Sequence, residues 1–222
     1  MKTIATYTML FINTIFIQAQ TINIPDINFK NKLLGANTYN TIALNFNNSW
    51  VKIDTNNDGE IQISEAALIK QLNLDESSLN LNISNFTGLE YFVNLKTITC
   101  NHNNLTSFNF PTLTQLEWLD CSGNQITNLD TTLYPNLKTL YCVFNPISSI
   151  DLSSLQYLEA FNCNSTQITT LDFRNNPMFT SLTCANSSVQ TIYLKNGINQ
   201  NHLHKSFFVL VQLPQPYLYL CR

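Results

Sequence analysis

The sequence predicts an α/β solenoid, a right-handed coil with a parallel β-sheet on its concave face and a small helical cap at its N-terminal end. Three observations support this fold class. Cysteines recur every 21 residues, leucines precede them at constant spacing, and an acidic loop, D-T-N-N-D-G-E-I-Q-I-S-E, lies in front of the repeats. Because a single repeat of this length cannot bury its own apolar face, successive repeats must stack on one another.

The repeats are five units that align with one another. Their shared pattern is L-x-x-L-x-C-x-x-N-x-[LI], with other apolar or small polar residues at some of these positions, and the cysteine is Cys100, Cys121, Cys142, Cys163 or Cys184. A pattern of this kind at a fixed period is the consensus of leucine-rich repeats, in which a short strand is followed by a helical or 3₁₀ return. A longer sixth unit precedes them, so we assign the repeats to residues 69–199, with the 21-residue period starting at Leu95.

In each x-L-x-C-x stretch the leucine and the cysteine point inward, and the residues between them point outward. We expect the cysteines to be small buried hydrophobes rather than disulfides, because Cβ vectors that run parallel suit bridging poorly. A catalytic thiol or metal ligand would need an exposed, activated sulfur. Asparagines occupy the turn after the strand, and we expect their amides to bond the backbone of adjacent coils; these are Asn103, Asn124 and Asn145, replaced later by Thr166 and Ser187.

The outward positions of the strands form the expected ligand face. Trp118 and Tyr141 lie on adjacent coils and are expected to point outward, with Asp120 and Asn162 beside them. Exposed aromatic side chains are typical of interface anchors and of sugar-binding platforms. The alternative is that the two rings stack on each other only for stability. The sequence therefore predicts a protein or glycan ligand at the concave face, bound through these four residues.

The acidic loop of residues 54–65 fits the calcium-loop pattern D-x-N-x-D-G-x₅-E without a gap. Gly59 allows the sharp turn of such a loop, and Ca²⁺ is the predicted cofactor. The expected ligands are the side-chain oxygens of Asp54, Asn56 and Asp58, the backbone carbonyl of Glu60, Gln62 directly or through water, and both carboxylate oxygens of Glu65. The alternative is an acidic turn that binds no ion.

Helical patterns flank the loop. A short helix is expected between Ile24 and Gly35, with Asp26 near its start, and S-E-A-A-L-I-K-Q-L predicts an exiting helix after the loop. Calcium sensors usually work with paired loops, and one loop is present here. We therefore assign residues 20–68 to an N-terminal cap that calcium tightens.

The ends and the composition of the chain restrict its location and partners. Residues 1–19 combine Lys2, an apolar run and Ala19, which predicts a secretory signal; the alternative membrane anchor is disfavoured because a span needs roughly 20 apolar residues. No membrane span is expected after its removal. The net charge of −3 gives no basic field for nucleic acid. Paired carboxylates, a nucleophile with a base, and a phosphate-binding glycine loop are all missing, so an enzyme is not expected.

With these motifs, the chain resembles secreted bacterial leucine-rich-repeat proteins of the internalin-like group that carry an EF-hand or dockerin-type calcium loop. The resemblance rests on T-I-N-I-P-D-I-N-F-K-N-K-L-L, I-D-T-N-N-D-G-E-I-Q-I-S-E-A and L-x-x-L-x-C-x-x-N, and it extends from Thr21 to Lys195. It implies a secreted or cell-surface location, with the periplasm also open, since the sorting domain that often ends such proteins is not seen. Residues 200–222 are expected to be an irregular tail, either a C-terminal cap or a truncated end.

The function expected from the sequence is a secreted, non-enzymatic binding module that uses its concave face, with calcium rigidifying the cap. The alternative is a passive structural or truncated surface protein without a ligand of its own. The identity of the ligand and the oligomeric state leave no signal in the sequence, because a repeat architecture does not specify a ligand.

Overall fold

The computed structural model describes residues 20–75, 82–110 and 113–194, together with the backbone of residues 208–210 and 219–221. These residues form a parallel-sheet β-solenoid of about five turns, which confirms the solenoid predicted from the 21-residue period. The predicted signal, residues 1–19, and most of the tail lie outside the described residues. Among the helices of the described part, none has the length and apolar character that crossing a membrane requires.

The elements are short and follow the repeats. The described residues contain helices α1 (Ile27–Leu34) and α2 (Ile63–Ala66) and two 3₁₀ turns, Leu89–Tyr91 and Thr131–Leu133. The strands are β1 (Ala43–Asn45), β2 (Ile69–Asn73), β3 (Thr97–Thr99), β4 (Trp118–Asp120), β5 (Thr139–Tyr141), β6 (Ala160–Asn162), β7 (Thr170–Asp172), β8 (Ser181–Thr183), β9 (Thr191–Tyr193), β10 (Phe208–Leu210) and β11 (Tyr219–Cys221).

An eight-stranded sheet in the order β1-β2-β3-β4-β5-β6-β8-β10 runs along the coil, and a smaller sheet has the order β11-β9-β7. All neighbouring strands are parallel except β1 and β2, which are antiparallel. Between β3 and β6, Ile98, Leu119, Leu140 and Phe161 lie opposite one another, so one coil equals one 21-residue step. These apolar columns are at most 1% exposed, which confirms the inward positions expected from the pattern.

The five repeat cysteines are free and buried, as the sequence predicts. The Sγ atoms of Cys100 and Cys121 donate to the carbonyl oxygens of Asp120 and Tyr141 on the next coil, each at 3.5 Å. Burial raises the pKa of the Cys121 thiol to about 12, so this thiol stays neutral and unreactive at ordinary pH. The cysteines therefore act as packing groups.

A ladder of buried asparagines joins the coils at the end of the strands. The Nδ2 group of Asn124 donates to the carbonyl oxygens of Cys100, Cys121 and Ser122 at 3.0, 2.9 and 3.1 Å. Its Oδ1 atom accepts from the backbone N–H of Leu105 at 3.1 Å. Asn103 and Asn145 repeat this arrangement. One side chain therefore satisfies backbone groups of two coils at once.

The ladder weakens toward the C-terminal end, as the sequence predicts. The Thr166 hydroxyl donates to the carbonyl oxygen of Cys163 at 2.8 Å, and the Ser187 hydroxyl donates to that of Cys184 at 2.5 Å. Both acceptors belong to the same coil as the donor. A hydroxyl is too short to reach the preceding coil, so the inter-coil bond made by each asparagine is lost here.

The N-terminal helix is confirmed, since α1 lies within the predicted range. Asp26 caps it, with Oδ1 accepting from the backbone N–H groups of Asn28 and Phe29 at 3.0 and 3.1 Å, and Gly35 follows its last residue. The exiting helix is shorter than predicted, because α2 ends at Ala66 and Ile69–Asn73 is strand β2. Strand β2 pairs with β1 on one side and β3 on the other, and these two ladders outweigh the local helical preference.

Candidate functional site

Two aromatic side chains mark the middle of the large sheet. Trp118 on β4 is 39% exposed, and Tyr141 on β5 is half-buried. Their ring centroids are 5.4 Å apart with an interplanar angle of 64°, an edge-to-face contact. Aromatic pairs of this geometry contribute roughly 0.5–1.5 kcal/mol beyond their buried area. The rings therefore support each other, as the stability alternative requires, while the indole retains a surface that a ligand could cover.

Two polar groups flank Tyr141 in the same row of the sheet. Asp120 and Asn162 lie opposite it on β4 and β6. The Oδ1 atom of Asp120 accepts from the backbone N–H and the hydroxyl of Ser122 at 3.2 and 2.6 Å, and its Oδ2 accepts from Asn101 at 3.1 Å. The Oδ1 atom of Asn162 accepts from the backbone N–H of Asn164 at 3.1 Å. Both side chains are thus fixed in place by the turn that follows their strand.

A charged row borders the aromatic pair at the start of the strands. The Nζ groups of Lys96 and Lys138 lie 2.8 and 2.7 Å from the carboxylate oxygens of Glu117 on the coil between them. Hydrogen bonds from Lys138 and Lys96 lower the pKa of the Glu117 carboxyl. Ion pairs this exposed contribute little free energy. We interpret the row as a cross-strand structural feature rather than a binding site.

The predicted calcium loop is folded against the rest of the N-terminal cap. Asp54 is 5% exposed, its Oδ2 atom accepts from the backbone N–H of Gly59 at 3.3 Å, and Gly59 has a φ of 78°. The Oδ1 atom of Asp54 is buried and has no hydrogen-bond partner among the described residues. A buried, unpartnered carboxylate oxygen is costly unless something compensates its charge.

The exposed side of the loop brings three predicted ligands together. The Oδ2 atom of Asp58 accepts from the side-chain amides of Asn56 and Gln62, each at 2.8 Å, and its Oδ1 accepts from the backbone N–H of Glu60 at 2.9 Å. The hydrogen bonds from Glu60 and Asn56 lower the pKa of the Asp58 carboxyl. This carboxylate is therefore negatively charged over the whole physiological range.

Glu65 closes the loop from α2. Its Oε1 atom accepts from the backbone N–H and the hydroxyl of Thr55 at 2.7 and 2.8 Å, and its Oε2 accepts from the backbone N–H of Gln62 at 3.0 Å. The Glu60 carboxylate instead pairs with Lys30 of α1 at 2.7 Å, which leaves its backbone carbonyl as the candidate ligand. The loop also pairs with the segment that precedes α1, through the backbone N–H of Ile22 and the carbonyl oxygen of Ile61 at 2.8 Å.

The residues present fit a calcium ion. In the part of the chain that the structure describes, no three or more His, Cys, Asp or Glu side chains are grouped closely enough to hold a metal by themselves, so a cation would also need amide and backbone oxygens. Calcium accepts carboxylate, amide and backbone carbonyl oxygens in one flexible shell, and a glycine at the sixth loop position allows it. The partnerless Oδ1 atom of Asp54 is the observation that favours an ion over a plain acidic turn.

Sequence reasoning missed the contacts that tie the loop and cap to their surroundings. Lys52 lies 3.8 Å from the Oδ2 atom of Asp54, and Lys30 bonds Glu60 across 30 residues of sequence. The Oδ2 atom of Asp26 accepts from Ser84 and Asn85 of the first repeat. Lys30 with Glu60, and Asp26 with Ser84 and Asn85, are too far apart in sequence for a fixed spacing to reveal them. Lys52 is only two residues from Asp54, but no motif signals that its side chain contacts the loop.

Comparison with known proteins supports the repeat assignment. A family model described as Leucine Rich repeats (2 copies) matches residues 114–157, and the chain contains leucine-rich repeats. No curated protein matches the chain. Two internalins of Listeria monocytogenes str. 4b F2365 are structural neighbours. Internalin C2 is 19% identical with a TM-score of 0.50, over 87% of this chain and 98% of that one. Another internalin (inlF) is 21% identical with a TM-score of 0.47, over 61% of this chain and 44% of that one.

The likeness to internalin C2 supports the fold alone, and an identity of 19% carries no ligand or partner across. The chain spans less than half the length of the second internalin.

Proposed function

We propose that this chain is a secreted, non-enzymatic interaction module whose concave face binds a protein, with residues 1–19 as its secretory signal. Leucine-rich repeats are commonly used for protein interaction and are typically not enzymes. The observation that carries the proposal is the exposed indole of Trp118, supported from one side by Tyr141 at the centre of the large sheet. Aromatic anchors held in place by neighbours are enriched among residues that dominate binding energy.

Trp118→Ala should weaken protein binding by a factor of roughly 30, since truncation of an aromatic anchor costs about 2 kcal/mol. The probe is an array of purified extracellular proteins and glycans, with titration of each hit by surface plasmon resonance. Tyr157→Ala is the matched control, because Tyr157 is 54% exposed but lies outside the strands. Circular dichroism of each variant checks that it is folded.

The outcomes separate the two candidate functions. Saturable binding of a protein that Trp118→Ala loses and Tyr157→Ala keeps supports the proposal. Binding of a glycan that Trp118→Ala loses and Tyr157→Ala keeps would show that the ligand is a glycan, the other ligand class that the sequence predicts. A passive structural protein would give no saturable binding, or binding that Trp118→Ala leaves unchanged.

We further propose that Ca²⁺ occupies the loop of residues 54–65 and rigidifies the cap. When bound, the ion would supply positive charge to the buried Asp54 oxygen that lacks a partner. Asp54, Asn56, Asp58, Gln62 and Glu65 would hold it through side-chain oxygens and Glu60 through its carbonyl. The loop contacts the first residues of the cap and α1, so an ordered loop restrains both. A weak site, with a dissociation constant on the order of 10⁻⁴–10⁻³ M, is sufficient outside a cell.

Calcium at 5 mM should raise the melting temperature of residues 20–222 by about 2–8 °C relative to chelator. Binding at this affinity stabilises the fold by roughly 1–2 kcal/mol, and each kcal/mol shifts the melting temperature of a domain this size by about 2–4 °C. Asp58→Ala should remove the rise. Asp130→Ala, which removes an acidic side chain outside the loop, should retain it. If calcium does not change the melting temperature of the unmodified protein, the proposal that calcium rigidifies the cap is wrong.

A further inference from the structure

Lys52 places an ammonium group on the calcium loop from outside the loop sequence. Its Nζ atom lies 3.8 Å from the Oδ2 atom of Asp54 and donates a hydrogen bond to the Oδ1 atom of Asn57. The Lys52 side chain is 39% exposed, whereas that of Asp54 is 6% exposed. The lysine therefore bridges the first and fourth positions of the loop while its own head group stays in contact with water.

The ammonium of Lys52 acts on a different group from the other loop cation. Lys30 pairs with the carboxylate of Glu60, whose expected ligand is its backbone carbonyl. Lys52 lies against the carboxylate of Asp54, whose other oxygen is buried without a partner in the described residues. Asp54 is thus an expected calcium ligand that has one oxygen without a partner and the ammonium of Lys52 beside the other.

We propose that Lys52 is an internal counter-cation that partly neutralises the loop when calcium is absent and weakens calcium binding. This inference rests on the proposed calcium site. An ammonium a few ångströms from a divalent ion repels it, and the interaction is partly screened by water and salt. The lysine therefore keeps the empty loop folded, and calcium must overcome its charge.

Lys52→Met should bind calcium about three- to tenfold more tightly than the unmodified protein, because it removes one positive charge at nearly constant side-chain length. Isothermal titration with calcium chloride into residues 20–222 measures this. Lys52→Arg keeps the charge and should keep the affinity within twofold. Lys70→Met removes another surface lysine, one that bonds Asn48 rather than the loop, and should also leave the affinity unchanged.

Two further readouts distinguish charge from a packing effect. The gain in affinity for Lys52→Met should shrink as sodium chloride is raised from 50 to 500 mM, because salt screens the lost repulsion. In chelator, Lys52→Met should melt below the unmodified protein, since the carboxylates of Asp54, Asp58 and Glu65 then lack this cation.

Equal affinities for Lys52→Met and the unmodified protein, while Asp58→Ala abolishes binding, would overturn the role of Lys52 and leave the calcium site standing. An affinity gain that Lys70→Met reproduces, or that does not depend on salt, would also overturn it. If neither the unmodified protein nor Lys52→Met binds calcium, the calcium site itself fails, and the role of Lys52 fails with it.

Discussion

Asn124→Ala should lower the free energy of unfolding by about 3–5 kcal/mol, a large effect for one buried polar residue. The substitution leaves the carbonyl oxygens of Cys100, Cys121 and Ser122 and the N–H of Leu105 without their side-chain partner. Asn124 is 7% exposed, so water cannot easily replace the lost bonds. Urea unfolding of residues 20–222, followed by circular dichroism, measures the loss.

The ladder provides its own matched controls. Thr166→Val alters the same repeat position, where the side chain makes a hydrogen bond to Cys163 within its own coil, and should cost about 1 kcal/mol. Asn124→Thr reproduces the arrangement of the later repeats, in which a hydroxyl cannot reach the preceding coil. Its loss of unfolding free energy should lie between those of Asn124→Ala and Thr166→Val. Equal losses for Asn124→Ala and Thr166→Val would contradict the conclusion that the inter-coil bonds carry the stability of the ladder.

The repeat core was predictable because its signal is local and repeated. Leu119, Cys121 and Asn124 stand at fixed positions within their unit, and the same chemistry recurs in the neighbouring units. In a solenoid each residue packs against its equivalents one coil away, so one period determines both strand and neighbour. The sheet, the buried thiols and the weakening asparagine ladder all follow from that one spacing.

The residue just before each ladder position has a backbone conformation that the sequence does not predict. His102, Gly123, Phe144, Ser165 and Asn186 recur at the same period, and all have positive φ. Only one of the five is a glycine, so the residue types do not reveal the positive φ that all five repeats share at this position. Turn geometry imposed by the ladders on either side fixes this conformation, and the amino acid preference alone does not.

The cap could be predicted only in part. The start of α1 was visible at Asp26, because a cap residue acts on the next few residues. The end of α2 was not visible, since pairing of β2 with two other strands overrode the helical pattern. The candidate ligands of the calcium loop follow a fixed spacing, whereas the contact of Lys52 with Asp54 belongs to no calcium-loop pattern and depends on the direction of the lysine side chain. The ligand of the concave face has no spacing from which it could be deduced.

Asp26 joins the cap to the first repeat, and Asp26→Ala should lower the free energy of unfolding by about 2–4 kcal/mol. Its Oδ1 atom caps α1, while its Oδ2 accepts from the backbone N–H groups of Ser84 and Asn85 at 2.9 and 3.1 Å and from the Ser84 hydroxyl at 3.2 Å. Ser84 and Asn85 are 58 and 59 positions after Asp26 in the sequence. Loss of the carboxylate therefore releases a helix cap and a long-range contact together.

Asp26→Asn separates the two roles. An asparagine still caps the helix well, but its neutral amide cannot accept all the bonds from Ser84 and Asn85, so we expect a smaller loss of about 1–2 kcal/mol. Asp130→Ala is the control for a purely local cap, since Asp130 accepts from the N–H and hydroxyl of Thr132 in its own turn, and it should cost at most about 1 kcal/mol. Chemical denaturation at neutral pH measures the loss of unfolding free energy for Asp26→Ala, Asp26→Asn and Asp130→Ala and so tests this order.

The same carboxylate predicts how the stability depends on pH. Burial acts to raise the pKa of Asp26, but the hydrogen bonds from Ser84, Phe29 and Asn85 outweigh it and lower the pKa below the ordinary value of 3.8. A carboxyl with a lowered pKa stabilises the folded state above its unfolded pKa, and this stability is lost as pH falls through the folded value. The difference in unfolding free energy between the unmodified protein and Asp26→Asn should therefore be constant above about pH 5 and shrink below 3.8. A difference that stays constant down to pH 2 would show that the charge of Asp26 does not hold the cap to the first repeat.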